Sequence, residues 1–270
     1  MPFSLSRRAV FGLCAVLTML PFALAPSARA AEVYKIGVEE GPHAEIMEKV
    51  GEILKEKDGI ELKVISFSDY ARPNPAVADG DLDGNAFQHI PYFEQQLKDR
   101  GYDLVSVGKT IIFPMGFYSK KYKTLQEIPE GSKIAIQNDP SNGGRALLLL
   151  QSQGIVKLGE GSGVTPSPLD IVDNPKKLKF IEVDAAQTPN TLADVAAAAI
   201  NTAFALGAGL DPNKDTIANE GPDSPYVNIF VVRTADAEKP WVKKLMEVYH
   251  SKEIRDFIME KYQGVVLPGF

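Results

Sequence analysis

The stretch KIAIQNDPSNGGRALLLLQ, residues 133–151, has the pattern of a strand, a turn and a helix. The apolar residues of KIAIQ predict a short buried strand, and the DPSN that follows supplies turn and N-cap side chains. The run from Ala146 to Leu150 is apolar on every side, which predicts a buried helix. A strand that leads through a polar turn into a buried helix is typical of an α/β fold.

Arg145 is an unexpected residue at the start of this helix. With Ser141 or Asn142 as the N-cap, it falls in the first helical turn, where unsatisfied N–H groups and the helix dipole already make the site positive. A cation is favourable there if an anion binds at the helix start, with Gly143 and Gly144 letting the backbone approach it. The alternative is a capped helix whose Arg145 pairs with an acidic residue elsewhere in the chain.

Residues 1–30 have the composition of a secretory signal peptide. Two arginines precede an apolar run that is too short to span a membrane, and the segment ends in Ala28-Arg-Ala30, a small-x-small cleavage sequence. We expect cleavage near Ala30 and export to the periplasm. General secretion is favoured over the twin-arginine route, because the hydrophobic motif after the arginines is imperfect.

The only cysteine, Cys14, lies inside this apolar run. The mature chain therefore has no disulfide, no thiolate metal site and no cysteine nucleophile. Cys14 also follows Leu13 and comes too early for a lipoprotein signal, which needs a cysteine after a small residue at the end of the run. The sequence thus predicts an exported protein without a lipid anchor.

Composition is that of a globular protein, with 270 residues, 44% hydrophobic and 24% charged. The leader holds three arginines and no acidic residue, so its removal takes the formal net charge from −6 to −9. An acidic chain lacks the basic surface that binds nucleic acid or an anionic membrane. We therefore expect no nucleic-acid partner.

The mature chain opens with a βαβ pattern. Residues 33–39 and 62–67 have the composition of strands, and the helix between them spans residues 44–57. One face of this helix is apolar: Ile46, Met47, Val50, Ile53 and Leu54. A parallel sheet with helices on its faces is the expected result, and ligands bind at the carboxyl ends of the strands of such sheets.

The order of elements further indicates two lobes. The chain changes to a basic, exposed character at residues 119–123, and a strong strand returns at residues 226–233 before two amphipathic helices close the chain. We expect residues 31–116 and 228–270 to form one lobe and residues 117–227 an inserted second lobe. Two crossover segments would join them, with a ligand in the cleft.

Polar and aromatic side chains collect at the predicted strand ends. The segment DGNAFQHIPY, residues 83–92, puts His89 at a strand-to-helix turn, where it faces a ligand or caps its own helix. Tyr70 offers a wall at another strand end. Asn201 and Asn228 are amides where apolar residues are expected, and each needs hydrogen-bond partners, either in the backbone between the lobes or in a ligand.

Signatures of enzymes are mostly absent. The pattern GEGSG at residues 159–163 matches a nucleophile elbow around Ser162, but it lies in a flexible loop rather than between a strand and a helix. His43, His89 and His250 are too dispersed to form a metal site by spacing. The sequence therefore predicts no metal, no cofactor and no enzymatic activity.

Six stretches resemble the methionine-binding lipoproteins of the NlpA (MetQ-type) family, which serve ABC importers. They lie at residues 41–46, 67–74, 83–92, 113–121, 138–147 and 224–228, and the resemblance extends over essentially the whole mature chain. The resemblance implies a two-lobed periplasmic-binding-protein fold (type II-like), in which each lobe is a mainly parallel sheet flanked by helices. It also implies that the protein closes on a free amino acid, most often L-methionine, and delivers it to an ABC permease.

The resemblance also implies roles for individual residues. Arg145 would bind the α-carboxylate with help from Asn142 or Asn138, and Asn201 and Asn228 would hold the ammonium and carboxylate groups. The thioether side chain would be surrounded by Tyr70, Phe87, His89 and Tyr92. Three alternatives stay open: another small zwitterionic or anionic ligand, a secreted α/β hydrolase with a reactive Ser162, and an adhesin or structural protein.

Overall fold

The computed structural model of the protein describes Met1 and residues 32–221 and 224–270. The predictions that concern the leader, including the position of Cys14 and cleavage near Ala30, fall outside these residues. Ala31–Phe270 form one unit. Across the described residues, no helix has the length and apolar character that crossing a membrane requires.

Strands and helices alternate along most of the chain. The first part contains β1 (Val33–Glu39), α1 (Pro42–Asp58), β2 (Glu61–Phe67), α2 (Pro73–Ala78), β3 (Gly84–His89), α3 (Ile90–Arg100), β4 (Leu104–Ile112), β5 (Gly116–Tyr118), β6 (Lys133–Gln137) and α4 (Pro140–Ser152). The second part contains β7 (Lys157–Leu158), β8 (Ile171–Asp173), β9 (Lys179–Val183), β10 (Ala197–Ile200), α5 (Thr202–Gly207), β11 (Thr216–Asn219), β12 (Val227–Arg233), α6 (Pro240–Tyr249), α7 (Lys252–Tyr262) and β13 (Leu267–Pro268).

The first sheet has six strands in the order β13-β4-β12-β3-β1-β2. Strand β1 runs parallel to β2 and β3, and α1 connects β1 to β2 as the βαβ pattern predicts. The apolar face predicted for α1 is buried, and the helix ends at Gly59, whose φ of 68° is the left-handed conformation that glycine accommodates at a helix end. Strand β12 runs antiparallel to both β3 and β4.

The second sheet has five strands in the order β11-β5-β10-β6-β9. Strand β6 runs parallel to β9 and β10, whereas β5 runs antiparallel to β10 and β11. Both sheets are therefore mixed rather than mainly parallel. In each sheet the strand that enters directly from the other sheet, β5 or β12, is antiparallel to its neighbours.

The chain passes between the two sheets twice. It leaves the first sheet after Ile112 and enters the second at Gly116, and it returns between Asn219 and Val227. Strand β5 of the second sheet thus begins at Gly116, and strand β12 of the first sheet begins at Val227. These two connections, residues 113–115 and 220–226, are called the crossover segments below.

Helix α4 lies in the core of the second sheet's lobe. Its side chains from Ala146 to Leu150 pack with strand β6, and all of them but Leu148 are buried. This burial agrees with the apolar character of the helix on every side. Arg145 is therefore carried on an element that packing holds rigidly in place.

Candidate ligand-binding site

A small cavity lies between the two lobes, at the carboxyl ends of several strands. Its lining residues come from both lobes and from the first crossover segment: Glu39, Tyr70, Phe87, Gln88, His89, Tyr92, Phe113, Asn142, Arg145, Asn201, Ala203 and Asn228. The cavity volume is about 20 Å³, which is room for about one water molecule. A larger molecule therefore enters only if the lobes or the lining side chains move apart.

Eight of the nine predicted ligand residues line this cavity. The exception is Asn138, whose side chain is exposed and whose backbone N–H donates to Val183 O at 2.8 Å. Strand pairing thus places the backbone of Asn138, and its exposed side chain is not part of the cavity lining. The turn sequence alone does not distinguish Asn138 from Asn142, which lies one helical turn further along.

Asp139, rather than Ser141 or Asn142, is the N-cap of α4. Its Oδ1 accepts the backbone N–H of Asn142 at 2.9 Å, and Pro140 takes the first helical position. Proline is favoured there because its missing N–H would be unsatisfied in any case. Arg145 is consequently the sixth residue of the helix and lies in the second turn, not the first.

Arg145 is paired with Glu220 of the second crossover segment. Arg145 Nε donates to Glu220 Oε1 at 2.7 Å, and Nη2 donates to Glu220 Oε2 at 2.5 Å. Nη2 also donates to Phe113 O at 2.8 Å, and the guanidinium carbon lies 4.2 Å from the centroid of the Tyr226 ring. The structure thus contains the pairing with an acidic residue that the sequence leaves open as an alternative.

One nitrogen of Arg145 is still available to a ligand. Among the described residues, Nη1 makes no hydrogen bond, although the side chain as a whole is only 3% exposed. The bidentate fork is used by Glu220, so a second carboxylate would meet Nη1. Side-chain amides nearby would then have to donate the remaining hydrogen bonds to that carboxylate.

Gly143 and Gly144 allow close approach of the protein's own backbone. A Cβ at Gly143 would lie 2.6 Å from Gln137 O, and one at Gly144 would lie 2.7 Å from Thr165 Cα. Real Cβ atoms do not come so close to other heavy atoms. The two glycines are therefore explained by packing of α4 on strand β6 and on the loop that contains Thr165.

Asn142 organises the polar side of the cavity. Its Oδ1 accepts from His89 Nε2 at 3.1 Å and from Asn201 Nδ2 at 2.8 Å, while its Nδ2 donates to both carboxylate oxygens of Asp139. Asn201 Oδ1 accepts in turn from Gln137 Nε2 at 2.8 Å. The amide of Asn142 is fully used inside the protein, so Asn142 positions its neighbours.

His89 is a neutral hydrogen-bonding group in this network. Its Nδ1 accepts the N–H of Tyr92 at 3.2 Å, which caps α3 and leaves the proton on Nε2 for Asn142. Burial, followed by the nearby Arg145 guanidinium, lowers the pKa of His89 to about 3. The ring therefore caps its own helix, which is one of the two sequence alternatives, and it also lines the cavity.

Aromatic rings form the opposite wall. The Tyr70 centroid lies 5.8 Å from Phe87 and 5.9 Å from Tyr92, and Tyr92 Oη donates to Tyr70 O at 3.0 Å. Phe204 of α5 closes the wall from the second lobe, 5.0 Å from Tyr70. Burial raises the pKa of Tyr92, so the phenol stays neutral. Such a wall suits an apolar or thioether side chain.

Five residues of the site are absent from the sequence-based set: Glu39, Gln88, Phe113 and Ala203, which line the cavity, and Glu220, which pairs with Arg145. Glu39 ends strand β1, in a turn recognised only as a general ligand position, and Gln88 is held by Asn74 within the segment around His89. Phe113 and Glu220 occupy the two crossover segments. No local pattern marks Glu220, because its partner Arg145 lies 75 residues away in the chain.

The loop around Ser162 does not form a nucleophile elbow. The two-residue strand β7 precedes it, but turns rather than a helix follow. The Ser162 hydroxyl donates to Gly159 O at 2.9 Å, within the same turn.

Two lobes built on mixed sheets, joined by two crossover segments and enclosing a cavity at their strand ends, define the fold of the periplasmic substrate-binding proteins. Proteins of this class bind small molecules and are not enzymes. The chain belongs to the NlpA lipoprotein family, whose family model matches residues 34–270.

Similar proteins are known by sequence and by structure. The D-methionine-binding lipoprotein MetQ of Salmonella typhimurium is 47% identical over 238 residues, which is 87% of this chain and 88% of that protein. The structure of a nutrient-binding protein from Burkholderia cenocepacia bound to methionine has a TM-score of 0.85 at 51% identity, covering 88% of this chain and all of that one. An ABC transporter periplasmic substrate-binding protein from Coxiella burnetii has a TM-score of 0.84 at 42% identity, covering 87% of this chain and 100% of that one.

These comparisons leave the expectation of an unanchored protein without support. The family and the Salmonella relative are named lipoproteins. The expectation rests on the position of Cys14, which lies outside the described residues. Membership of the family agrees with a location in the periplasmic space.

Proposed function

We propose that this protein captures methionine in the periplasm and delivers it to the permease of an ABC importer. The observation that carries the proposal is the enclosed cavity between the lobes, in which the Arg145 guanidinium and unused amide groups face an aromatic wall. A zwitterion with an apolar tail needs both kinds of surface. The methionine-bound relative and the names of the similar proteins support the same ligand.

In this proposal, the α-carboxylate binds Arg145 Nη1 together with the amides of Asn201 and Asn228. Asn201 keeps one N–H without a partner among the described residues, and the Asn228 side chain makes no hydrogen bond to them. Asn142 holds His89 and Asn201 in position. The side chains of Tyr70, Phe87, His89 and Tyr92 surround the thioether.

We propose further that residues 31–116 with 228–270 and residues 117–227 move as two lobes about the crossover segments. A cavity of about 20 Å³ is too small for methionine. Binding therefore requires an open state, and the ligand stabilises the closed one. Small-angle scattering should report a decrease in the radius of gyration when methionine is added.

Calorimetry on the purified exported protein tests the ligand. We expect binding of L-methionine, and we expect Arg145→Ala to weaken it by more than about 2 kcal/mol, because the buried carboxylate loses its cation. D-methionine and other amino acids should be titrated in parallel. If methionine gives no heat, and native mass spectrometry finds a different small molecule released on denaturation, the proposed ligand is wrong.

We propose cleavage near Ala30 for the exported form. The small-x-small sequence before residue 31 supports this position. The intact mass and N-terminal sequence of the periplasmic protein test it. A chain that begins at Cys14 and carries the added mass of a lipid would contradict it and would agree with the lipoprotein names of the relatives.

A further inference from the structure

Glu39 presents a buried oxygen that the protein itself does not satisfy. The residue ends strand β1 and is 4% exposed, and its Oε1 has no hydrogen-bond partner among the described residues. Burying a carboxylate oxygen without a partner is strongly unfavourable. Since Glu39 lines the cavity, a bound molecule is the natural source of the missing donor.

The neighbours of Glu39 hold its carboxylate in place, and Oε1 still has no hydrogen-bond partner among the described residues. His43 Nδ1 lies 3.4 Å from Glu39 Oε2, but neither ring nitrogen of His43 has a hydrogen-bond partner among the described residues. The His43 ring packs edge-on against Phe113, with 4.9 Å between the centroids. On the other side lies the Tyr70 phenol, whose pKa is raised by burial, then by the Glu39 charge and by a side-chain hydrogen bond with Glu39.

The other acceptors of the cavity are already occupied. Asn142 Oδ1 accepts from His89 and Asn201, and Asn201 Oδ1 accepts from Gln137. Gln88 Oε1 accepts from Asn74. Among the carboxylate and amide side chains that line the cavity, Glu39 and Asn228 therefore keep an oxygen without a hydrogen-bond partner in the described part of the chain, and of these two only Glu39 carries a charge.

Charge balance leads to the same residue. The Arg145 guanidinium is paired with Glu220, and His89 is neutral. Within the described cavity lining, the Glu39 carboxylate is therefore the negative charge that a ligand can neutralise. We infer that Glu39 binds the α-ammonium group of the ligand and makes the site selective for amino acids over the corresponding carboxylic acids. This inference rests on the proposed function, because it concerns the amino group of the same ligand.

The position of Glu39 also orients the ligand. Glu39 and Ala203 line both the cavity and a wider groove of about 760 Å³ that lies outside it. The ammonium group is thus at the side of the cavity next to this groove. The apolar tail points away from it, toward the rings of Phe87 and Tyr92.

Calorimetry with a pair of ligands tests the inference. The pair is L-methionine and 4-(methylthio)butanoate, which has the same carboxylate and thioether but no amino group. We expect Glu39→Gln to weaken methionine binding by about tenfold or more and to leave the binding of 4-(methylthio)butanoate unchanged. The matched control is Glu40→Gln, since Glu40 is exposed, lines only the outer groove and should leave both affinities unchanged.

The outcomes separate the two proposals. If the unmodified protein does not bind methionine, the proposed function fails. If it binds methionine, and Glu39→Gln weakens both ligands by the same factor or neither, the role of Glu39 alone is overturned. Circular dichroism checks the folding of the variant. If Glu39→Gln does not fold, Glu39→Asp keeps the charge and shortens its reach, and it should also reduce the preference for methionine over the analogue.

Discussion

Arg145 and Glu220 form a two-point ion pair that ties helix α4 of the second lobe to the segment through which the chain returns to the first. Glu220 Oε2 also accepts the N–H of Met115, at 2.9 Å, and the hydroxyl of Ser224, at 3.0 Å. One carboxylate thus connects the ligand-facing arginine with both crossover segments. The geometry at the cavity is therefore coupled to the parts of the chain where the lobes are joined.

We expect Arg145 and Glu220 to contribute jointly, rather than independently, to the free energy of unfolding. Arg145 is 3% exposed and Glu220 is 11% exposed. Either Arg145→Ala or Glu220→Ala should lower the free energy of unfolding by about 3–5 kcal/mol, because each leaves a buried charge unpaired. The double variant should lose less than the sum of the two. Urea unfolding of all four proteins measures the coupling, and additive losses would contradict it.

An exposed ion pair in the same lobe provides the comparison. Lys177 and Glu130 are 76% and 58% exposed. Removal of Lys177 by Lys177→Ala should change the free energy of unfolding by less than about 1 kcal/mol, because solvent screens the pair.

Asn138 and Asn228 are both predicted from the sequence to bind the ligand, but their substitution should affect binding differently. Asn228 lines the cavity and its side chain has no hydrogen-bond partner among the described residues, whereas Asn138 is exposed. Asn228→Ala should weaken methionine binding by about tenfold, because a buried polar contact to the ligand is lost. Asn138→Ala should leave the dissociation constant unchanged. Equal effects of the two substitutions in calorimetry would argue against this division.

His89 should make the protein less stable in mild acid. Its pKa is about 3 in the folded protein, below the ordinary value of 6.5 that applies to the unfolded chain. Between these values only the unfolded chain binds the proton, so stability is lost as the pH falls below about 6.5. From pH 7 to pH 5 this amounts to about 2 kcal/mol.

Urea unfolding at pH 7 and pH 5 checks the effect of His89. The variant His89→Asn should lose less stability between the two pH values than the unmodified protein does. The matched control is His250→Asn, because His250 is exposed, and it should retain the full pH dependence. An identical pH dependence in His89→Asn and the unmodified protein would exclude the assigned role.

Gly144 should resist substitution although it lies within a helix, where alanine is normally favoured. A Cβ there would lie 2.7 Å from Thr165 Cα and 2.9 Å from Pro166 N, which are backbone atoms that cannot easily move. Gly144→Ala should lower the free energy of unfolding by about 1–3 kcal/mol through overpacking. Gly207→Ala in α5 is the control, since nothing lies within 4 Å of its Cβ position. Thermal unfolding distinguishes the two, and equal melting temperatures would contradict the packing argument.

Much of the fold follows from local patterns. The apolar face of α1 repeats with the period of a helix, and the capping residues that precede the apolar run of α4 mark that run as a helix. The return of the chain to the first sheet is marked by the strong strand β12. The mixed direction of the strands is not visible locally, because strand pairing joins residues far apart in the chain.

Only the three-dimensional structure distinguishes among the possible N-cap residues of α4. Asp139, Ser141 and Asn142 are all good capping residues, so the sequence allows the helix to begin at any of them. Pairing of β6 with β9 fixes the preceding strand, and Asp139 is then the residue whose side chain reaches the N–H of Asn142. Arg145 moves into the second turn as a result.

The sequence by itself determined the class of the protein, the two-lobed order of its elements and most of the residues that line the cavity, because strand ends with polar side chains are recognisable locally. Only the tertiary structure decided which groups are still free to bind a ligand. Arg145 is occupied by Glu220, Asn142 is used within the protein and Glu39 retains an unsatisfied oxygen. The physical reason is that hydrogen-bond saturation depends on partners brought together from distant parts of the chain, and no local pattern encodes those distances.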